Sequence, residues 1–128
     1  MANELIQKTL GMKSWAVVGA NQDPAKYGHR IYHVLRDRGY RVYPVNPEYE
    51  EINGEKCYAS VLDLPEAPDV IDMVVNPFTG IHVIKEIARI GTKYVWMQPG
   101  TRSDKIRDSA KENGGELIED CVLVRVDQ

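Results

Sequence analysis

Residues Ser14 to Gly28 read SWAVVGANQDPAKYG, and this stretch decides the fold. Trp15 to Val18 form a continuous apolar run that Gly19 ends, as expected for a strand buried on both faces of a parallel sheet. A dinucleotide-binding loop would then read G-x-G-x-x-G, but this loop has one glycine followed by polar residues, a proline and a lysine. The stretch therefore predicts the first strand and turn of an α/β fold, with an unusual loop after the strand.

Strand and helix patterns alternate along the rest of the chain. Helical spacing of apolar residues predicts helices at residues 4–12, 28–38, 77–90 and 103–113. Strands are predicted at residues 15–18, in YRVYPVNP, at residues 69–76, in KYVWMQPG and in GELIED, with CVLVRV as a candidate sixth. Residues 48–68 are less regular, and we expect them to run along the sheet edge. The alternation predicts a doubly wound, mainly parallel, Rossmann-like α/β sheet of five to six strands, flanked by helices in three layers.

The composition limits the classes of function. A chain of 128 residues is long enough for one domain, so residues 1–128 are expected to form a single domain. The net charge of −3 gives no attraction for nucleic acid or an anionic membrane, and no apolar run is long enough to cross a bilayer. With only two cysteines, Cys57 and Cys121, and no signal-peptide pattern, the expected location is the cytoplasm.

Sheets of this type bind ligands beyond the carboxyl ends of their strands, and four such strand ends are predicted here. The first is followed by the loop from Gly19 to Gly28. Gly19 permits a tight turn, the N–H groups of Ala20 to Gln22 can face an anion, and Lys26 adds a mobile positive charge. An ordinary loop with a solvated lysine explains the same residues. Gly28 indicates either a close approach by a ligand or strand, or simple flexibility at the helix start.

The second strand ends in Asn46-Pro47, where an NAD-binding chain would be expected to have Asp or Glu. Without a carboxylate at that position, the site favours a 2′- or 3′-phosphorylated adenosine over NAD, although Glu48 lies close in sequence. A turn that uses Asn and Pro for backbone reasons is the alternative.

The third and fourth strand ends offer further contacts. Val75, Asn76 and Pro77 are placed to line a ligand, and a simple helix start explains them equally well. Gln98 offers an amide where the extended arm of a ligand would pass, whereas Trp96 is expected in the core.

A catalytic centre is not evident. His29 and His33 are one helical turn apart but lack a third metal ligand, and no C-x-x-C or G-x-S-x-G motif occurs. Cys121 would be able to form a mixed disulfide with a thiol ligand if it lay near the crevice, and a buried, inert thiol is the alternative. Turn and strand-end positions account for the acidic residues Asp69, Asp72, Glu119 and Asp120.

Three motifs together resemble one family. They are G-x-x-x-x-P-x-K in the first loop, a second strand that ends in V-N-P, and W-x-Q-x-G at the fourth strand end. In this combination the chain resembles the stand-alone CoA-binding proteins, which are Rossmann-like domains similar to the CoA-binding domain of succinyl-CoA synthetase alpha subunits. The similarity covers nearly the whole chain. The match departs at Gln22-Asp23, where the Asp23 carboxylate would repel phosphate, and at Pro99, which has no N–H to donate.

The resemblance implies a bound coenzyme A (CoA) whose phosphates meet the loop from Gly19 to Gly28. Adenosine would lie beside the second strand end, and the rest of the cofactor would pass the third and fourth. The residues expected to contact CoA are Gly19, Ala20, Asn21, Gln22, Lys26, Tyr27, Gly28, Asn46, Pro47, Val75, Asn76, Pro77 and Gln98.

The function expected from the sequence is therefore non-catalytic binding of CoA or an acyl-CoA. The alternative is a nicotinamide dinucleotide-binding protein or oxidoreductase, which the missing acidic residue and second glycine disfavour. A redox-responsive regulator with a winged helix would need more residues before the first strand, and an interaction domain that has lost its ligand is a further alternative. An exposed apolar helix face would permit a homodimer, but no pattern requires one.

Overall fold

The structure, a computed structural model, describes residues 2–126. Its helices are α1 (Ala2–Leu10), α2 (Tyr27–Asp37), α3 (Pro77–Ile90), α4 (Asp104–Glu112) and α5 (Val122–Val126). Its strands are β1 (Ser14–Val18), β2 (Arg41–Val45), β3 (Glu51–Ile52), β4 (Glu55–Lys56), β5 (Val70–Met73), β6 (Tyr94–Met97) and β7 (Glu116–Ile118). Within this part of the chain no helix combines the length and apolar character needed to cross a membrane.

Five strands form one parallel sheet in the order β2-β1-β5-β6-β7. The prediction of a doubly wound, Rossmann-like α/β fold is confirmed, with five strands in the main sheet. Because β1 lies between β2 and β5, the chain reverses its direction of winding between β1 and β5. Ligands of open parallel sheets bind in the crevice at such a switch point, beyond the carboxyl ends of the strands.

Helices cover both faces of the sheet and give the predicted three layers. Alternate residues of each strand enter opposite cores, because successive side chains of a strand point to opposite faces. Trp15 and Trp96 are fully buried on the face covered by α1, α2 and α5, and their ring centroids are 5.9 Å apart. Ile71 and Met97 are buried on the face covered by α3 and α4. Trp96 is thus a core residue, as predicted.

The predicted boundaries of α3 and the predicted start of α4 are confirmed. Asn76 caps α3 by accepting a hydrogen bond from the Thr79 N–H at 2.9 Å, and Pro77 is the first helical residue. Gly91 ends that helix with a φ of 83°, a left-handed conformation that favours glycine. Ser103 caps α4 through the Ile106 N–H at 3.2 Å. Capping of these two helices therefore follows local sequence rules.

Residues 48–68 run along the sheet edge, as expected. After the β3–β4 hairpin, the Tyr58 N–H donates to the Pro44 carbonyl at 3.0 Å. The Tyr58 carbonyl in turn accepts from the Asn46 N–H at 2.9 Å. This pairing covers the outer edge of β2 just where the strand reaches the crevice.

The candidate sixth strand in CVLVRV was wrong, because this segment forms α5. A strand would bury Val122, Val124 and Val126 on one face. The structure buries Val122 and Val126, one helical turn apart, and leaves Val124 55% exposed. Asp120, just before the helix, accepts a hydrogen bond from Arg125 at 2.9 Å and fixes the direction of the turn.

Candidate functional site

Two adjoining cavities open at the carboxyl ends of the strands and share one wall, formed by Val74, Val75 and Asn76 after β5. The apolar cavity has a volume of about 410 Å³, and its other lining residues are Tyr27, Gln98, Pro99, Gly100, Thr101 and Cys121. The polar cavity has a volume of about 530 Å³, and its polar lining residues include Asn21, Asn46, Glu48, Ser60, Thr79, His82 and Glu86. Both volumes lie in the range of small-molecule sites.

Close packing of the backbone requires glycine at both ends of the first loop, at Gly19 after β1 and at Gly28 in the first turn of α2. Gly19 has a φ of 98°, and a Cβ there would lie 2.2 Å from the Val74 carbonyl oxygen. A Cβ on Gly28 would lie 1.9 Å from the carbonyl oxygen of Gly19. The structure shows a close approach at Gly28, but its partner is the loop after β1 and not the ligand or strand considered from the sequence.

Side chains of the loop hold its shape. Asn21 Oδ1 accepts hydrogen bonds from the Asp23 N–H at 2.8 Å and from the Tyr49 hydroxyl at 3.2 Å. Gln22 Nε2 donates to the Glu51 carbonyl at 2.8 Å. Asp23 Oδ1 accepts from the Ala25 N–H at 3.0 Å, so this carboxylate helps to form the turn before α2.

The loop leaves donors and a positive charge available. Among residues 2–126, no hydrogen bond uses the backbone N–H groups of Ala20, Asn21 and Gln22. Lys26 is exposed at the start of α2 and lines neither cavity. Tyr27, the first residue of α2, is 61% exposed and lines the apolar cavity. This arrangement suits an anion that lies over the loop, outside the deeper parts of the cavities.

Asn46 connects the first and second strand ends. Its Nδ2 donates to the Ala20 carbonyl at 2.9 Å, and its Oδ1 accepts from the Glu48 N–H at 2.9 Å. Asn46 and Pro47 line the polar cavity, and their contact with a ligand stays a prediction. Glu48 lines it as well, so this strand end carries a carboxylate despite the absence of an acidic residue at position 46.

Thr101 fixes the wall that the two cavities share. Its hydroxyl accepts a hydrogen bond from the Val75 N–H at 3.1 Å and lies within donating distance of the Met73 and Val75 carbonyls. Thr101 is 1% exposed. Sequence reasoning missed this residue, because a single threonine after Pro99-Gly100 carries no pattern that indicates such a contact.

Gln98 and Asp72 form a buried polar pair behind the apolar cavity. Gln98, 5% exposed, donates from Nε2 to both carboxylate oxygens of Asp72, at 2.8 and 3.1 Å. Burial raises the pKa of Asp72 to about 7, although the hydrogen bond from Gln98 opposes that shift. The interpretation of Asp72 as a turn or strand-end residue was wrong, because it lies within β5 with no exposed surface. The signal available was one acidic residue inside the apolar run VIDMVV.

The predicted contact residues fall into two groups. The residues that line one or both cavities are Gly19, Asn21, Tyr27, Asn46, Pro47, Val75, Asn76 and Gln98. The residues that lie in the same loops but line neither are Ala20, Gln22, Lys26, Gly28 and Pro77. The structure thus brings all four predicted strand ends to one crevice.

The two cysteines differ in their surroundings. Cys121 is half-buried and lines the apolar cavity, so the condition for contact with a ligand thiol is met. Cys57 is buried, and burial raises the pKa of its thiol. The rings of His29 and His33 are tilted by 46° with centroids 4.1 Å apart. Residues 2–126 contain no group of three His, Cys, Asp or Glu side chains able to hold a metal ion.

The sequence matches a known protein family and several curated relatives. The model of a family described as a CoA binding domain matches residues 13–127. An ADP-forming acetate–CoA ligase from Methanocaldococcus jannaschii is 40% identical over 81 residues, which are 63% of this chain and 12% of the ligase. The uncharacterized protein YneT of Bacillus subtilis is 27% identical over 122 residues, which are 94% of this chain and 88% of YneT. The chain therefore spans a small part of the ligase and most of YneT.

Solved structures of small proteins share the fold over most of their length. A conserved hypothetical protein from Pyrococcus furiosus is 45% identical with a TM-score of 0.84, over 88% of this chain and 98% of that protein. A structure from Thermus thermophilus is 34% identical with a TM-score of 0.90, over 99% of this chain and 97% of that protein. From the family match and the shared fold, the chain belongs to the CoA binding domain family.

Proposed function

We propose that residues 1–128 form a single domain that binds coenzyme A in the crevice formed by the two cavities. The observation that carries the proposal is the shared wall at Val74 to Asn76, which joins a polar and a mainly apolar compartment at the switch point of the sheet. CoA has the same division, since a charged nucleotide is linked to an extended arm that ends in a thiol. Family membership supports the same ligand.

The polar cavity is the proposed place for the nucleotide. Its walls include the side-chain amide of Asn46 and the hydroxyl of Ser60, which suit a sugar and a base. The loop beside it presents the N–H groups of Ala20 to Gln22 and the charge of Lys26, which suit phosphates. Glu48 and Glu86 oppose phosphate in the cavity itself, so we place the phosphates over the loop.

The apolar cavity is the proposed place for the arm, and the thiol or an acyl group attached to it would lie near Gln98 and Cys121. We propose that the domain itself does not catalyse a reaction. Cys121 and His82 line different cavities, so within residues 2–126 the crevice does not pair this nucleophile with a histidine base. A nicotinamide dinucleotide is the alternative ligand, which the comparisons do not favour.

Thermal unfolding with separate ligands tests the proposal. We expect CoA and acetyl-CoA to raise the melting temperature, because a ligand at 100 times its dissociation constant stabilises a protein by about 2.7 kcal/mol. NAD and NADP at the same concentrations serve as controls and should give little or no shift. Stabilisation by NAD without stabilisation by CoA would contradict the proposal and favour the alternative.

A further inference from the structure

Cys121 lies at the wall of the cavity proposed for the CoA arm. Its thiol is free and half-buried, and its side chain lines the apolar cavity together with Gln98 and Tyr27. Its backbone is held in place, because the Cys121 N–H donates to Asp120 Oδ1 at 2.7 Å. The half-buried Cys121 side chain is therefore accessible from the cavity.

The side-chain oxygen of Gln98 is an independent indication that this cavity suits a ligand with N–H donors. Gln98 is 5% exposed and lines the same cavity, with its Nε2 committed to Asp72. Its Oε1 receives no hydrogen bond from any residue in the 2–126 range. An amide oxygen without a protein donor can accept a hydrogen bond from a ligand, and the arm of CoA carries amide N–H groups. Gln98 thus matches the chemistry of the arm at a position beside Cys121.

We propose that Cys121 takes up CoA covalently by thiol–disulfide exchange with CoA disulfide. The thiolate sulfur of Cys121 attacks one sulfur of the disulfide, a Cys121–CoA bond forms, and the bond between the two CoA sulfurs breaks. The second CoA leaves as a thiolate and takes up the proton that Cys121 lost, so the exchange involves no net oxidation. This proposal rests on the proposed function, because the crevice must first bind the nucleotide of the incoming disulfide.

Cys57 provides an internal comparison. It is 6% exposed, packs in the core and lines neither cavity of the crevice. Burial raises the pKa of its thiol and reduces its thiolate fraction. Thiol–disulfide exchange that depends on binding in the crevice should therefore modify Cys121 and leave Cys57 reduced.

The test uses the whole reduced chain, incubated without oxygen with CoA disulfide or, separately, with glutathione disulfide. Intact-mass spectrometry is expected to show one CoA added, peptide mapping should place it on Cys121, and dithiothreitol should remove it. Binding in the crevice should make CoA disulfide react about tenfold faster than glutathione disulfide or more. Cys121→Ser should abolish the addition, and Cys57→Ser should leave it intact.

Three results would overturn the exchange: no addition, addition mainly at Cys57 in the wild-type chain, or equal rates with the two disulfides. Thermal unfolding with reduced CoA is measured in parallel on the wild-type chain and on Cys121→Ser. If CoA stabilises both and no exchange occurs, only this inference fails. If CoA does not stabilise the wild-type chain, the proposed function fails.

Discussion

Gln98 at the end of β6 donates its side-chain amide to both carboxylate oxygens of Asp72, a fully buried residue of the neighbouring strand β5, at 2.8 and 3.1 Å. One member of this pair has no contact with solvent, and the other lines the apolar cavity. The protonation state of Asp72 therefore governs which hydrogen bonds this pair can make beside the proposed ligand site. A carboxylate holds Nε2 toward the core, whereas a carboxylic acid can also donate to Oε1.

Replacement of Asp72 by Asn should stabilise the protein at high pH. Burial raises the pKa of Asp72 to about 7, so between its ordinary value of 3.8 and about 7 the folded state binds more protons than the unfolded state. Stability of the wild-type chain therefore falls as pH rises through that window. We expect Asp72→Asn to raise the free energy of unfolding by about 2 kcal/mol at pH 8, with the gain fading toward pH 4.

Urea unfolding at pH 4, 6 and 8 measures this effect. Asp108→Asn, which changes an exposed carboxylate on α4, is the matched control and should show no comparable gain. A gain from Asp72→Asn that is the same at all three pH values would contradict the raised pKa of Asp72 in the folded state.

Replacement of Gly28 by Ala should destabilise the fold. The new Cβ would lie 1.9 Å from the Gly19 carbonyl oxygen, and a backbone atom cannot move aside as a flexible side chain can. We expect a loss of about 3 kcal/mol, measured by chemical unfolding. Gly11→Ala is the control, because its Cβ would meet only ordinary contacts at 3.5 Å or more. Equal stabilities of the two variants would show that α2 does not approach the loop this closely.

Replacement of Thr101 by Val should affect both stability and binding. The change removes the hydroxyl that pairs with the Val75 N–H, and a buried donor without a partner costs about 1–3 kcal/mol. Thr92→Val is the control, because it also deletes a buried hydroxyl, which donates to the Pro68 carbonyl at 2.8 Å near the opposite end of β6. Both variants should lose stability, but only Thr101→Val should weaken CoA binding in calorimetry. Equal CoA affinities of Thr101→Val and Thr92→Val would show that Thr101 does not support the binding site.

Replacement of Lys26 by Ala should weaken binding of CoA more than binding of dephospho-CoA. Lys26 is exposed beside the loop, and loss of one exposed charge contact corresponds to roughly 1 kcal/mol, or about fivefold in affinity. Lys111→Ala, on the exposed last turn of α4, is the control. Calorimetric titration with the two ligands measures the difference. Equal losses for both ligands would instead place Lys26 beside the pyrophosphate.

The fold could be predicted because local signals mark most of its boundaries. Gly19 ends β1, Asn76-Pro77 begins α3, Gly91 ends it, and Ser103 begins α4. The convergence of the four strand ends then followed from the parallel sheet alone. The prediction failed at CVLVRV, where short runs of valine fit a strand as well as a helix. The contacts of Val122 and Val126 with the core decide that segment.

The contacts inside the crevice could not be predicted in the same way. Asn46, Gln98 and Thr101 make hydrogen bonds to residues about 26 positions away. Such contacts depend on the register between strands, which short motifs do not encode. The sequence indicated which strand ends lie together, and the structure shows which side chains form hydrogen bonds between them.

The shared wall at Val74 to Asn76 has a consequence for ligands smaller than CoA. The Val75 backbone is tied to Thr101, and the Asn76 side chain is tied to the first turn of α3, so the wall is one linked unit. A nucleotide fragment in the polar cavity and a pantetheine fragment in the apolar cavity would both contact the backbone of Val74 to Asn76. Their binding free energies are therefore expected to be non-additive, with the first fragment changing the affinity for the second.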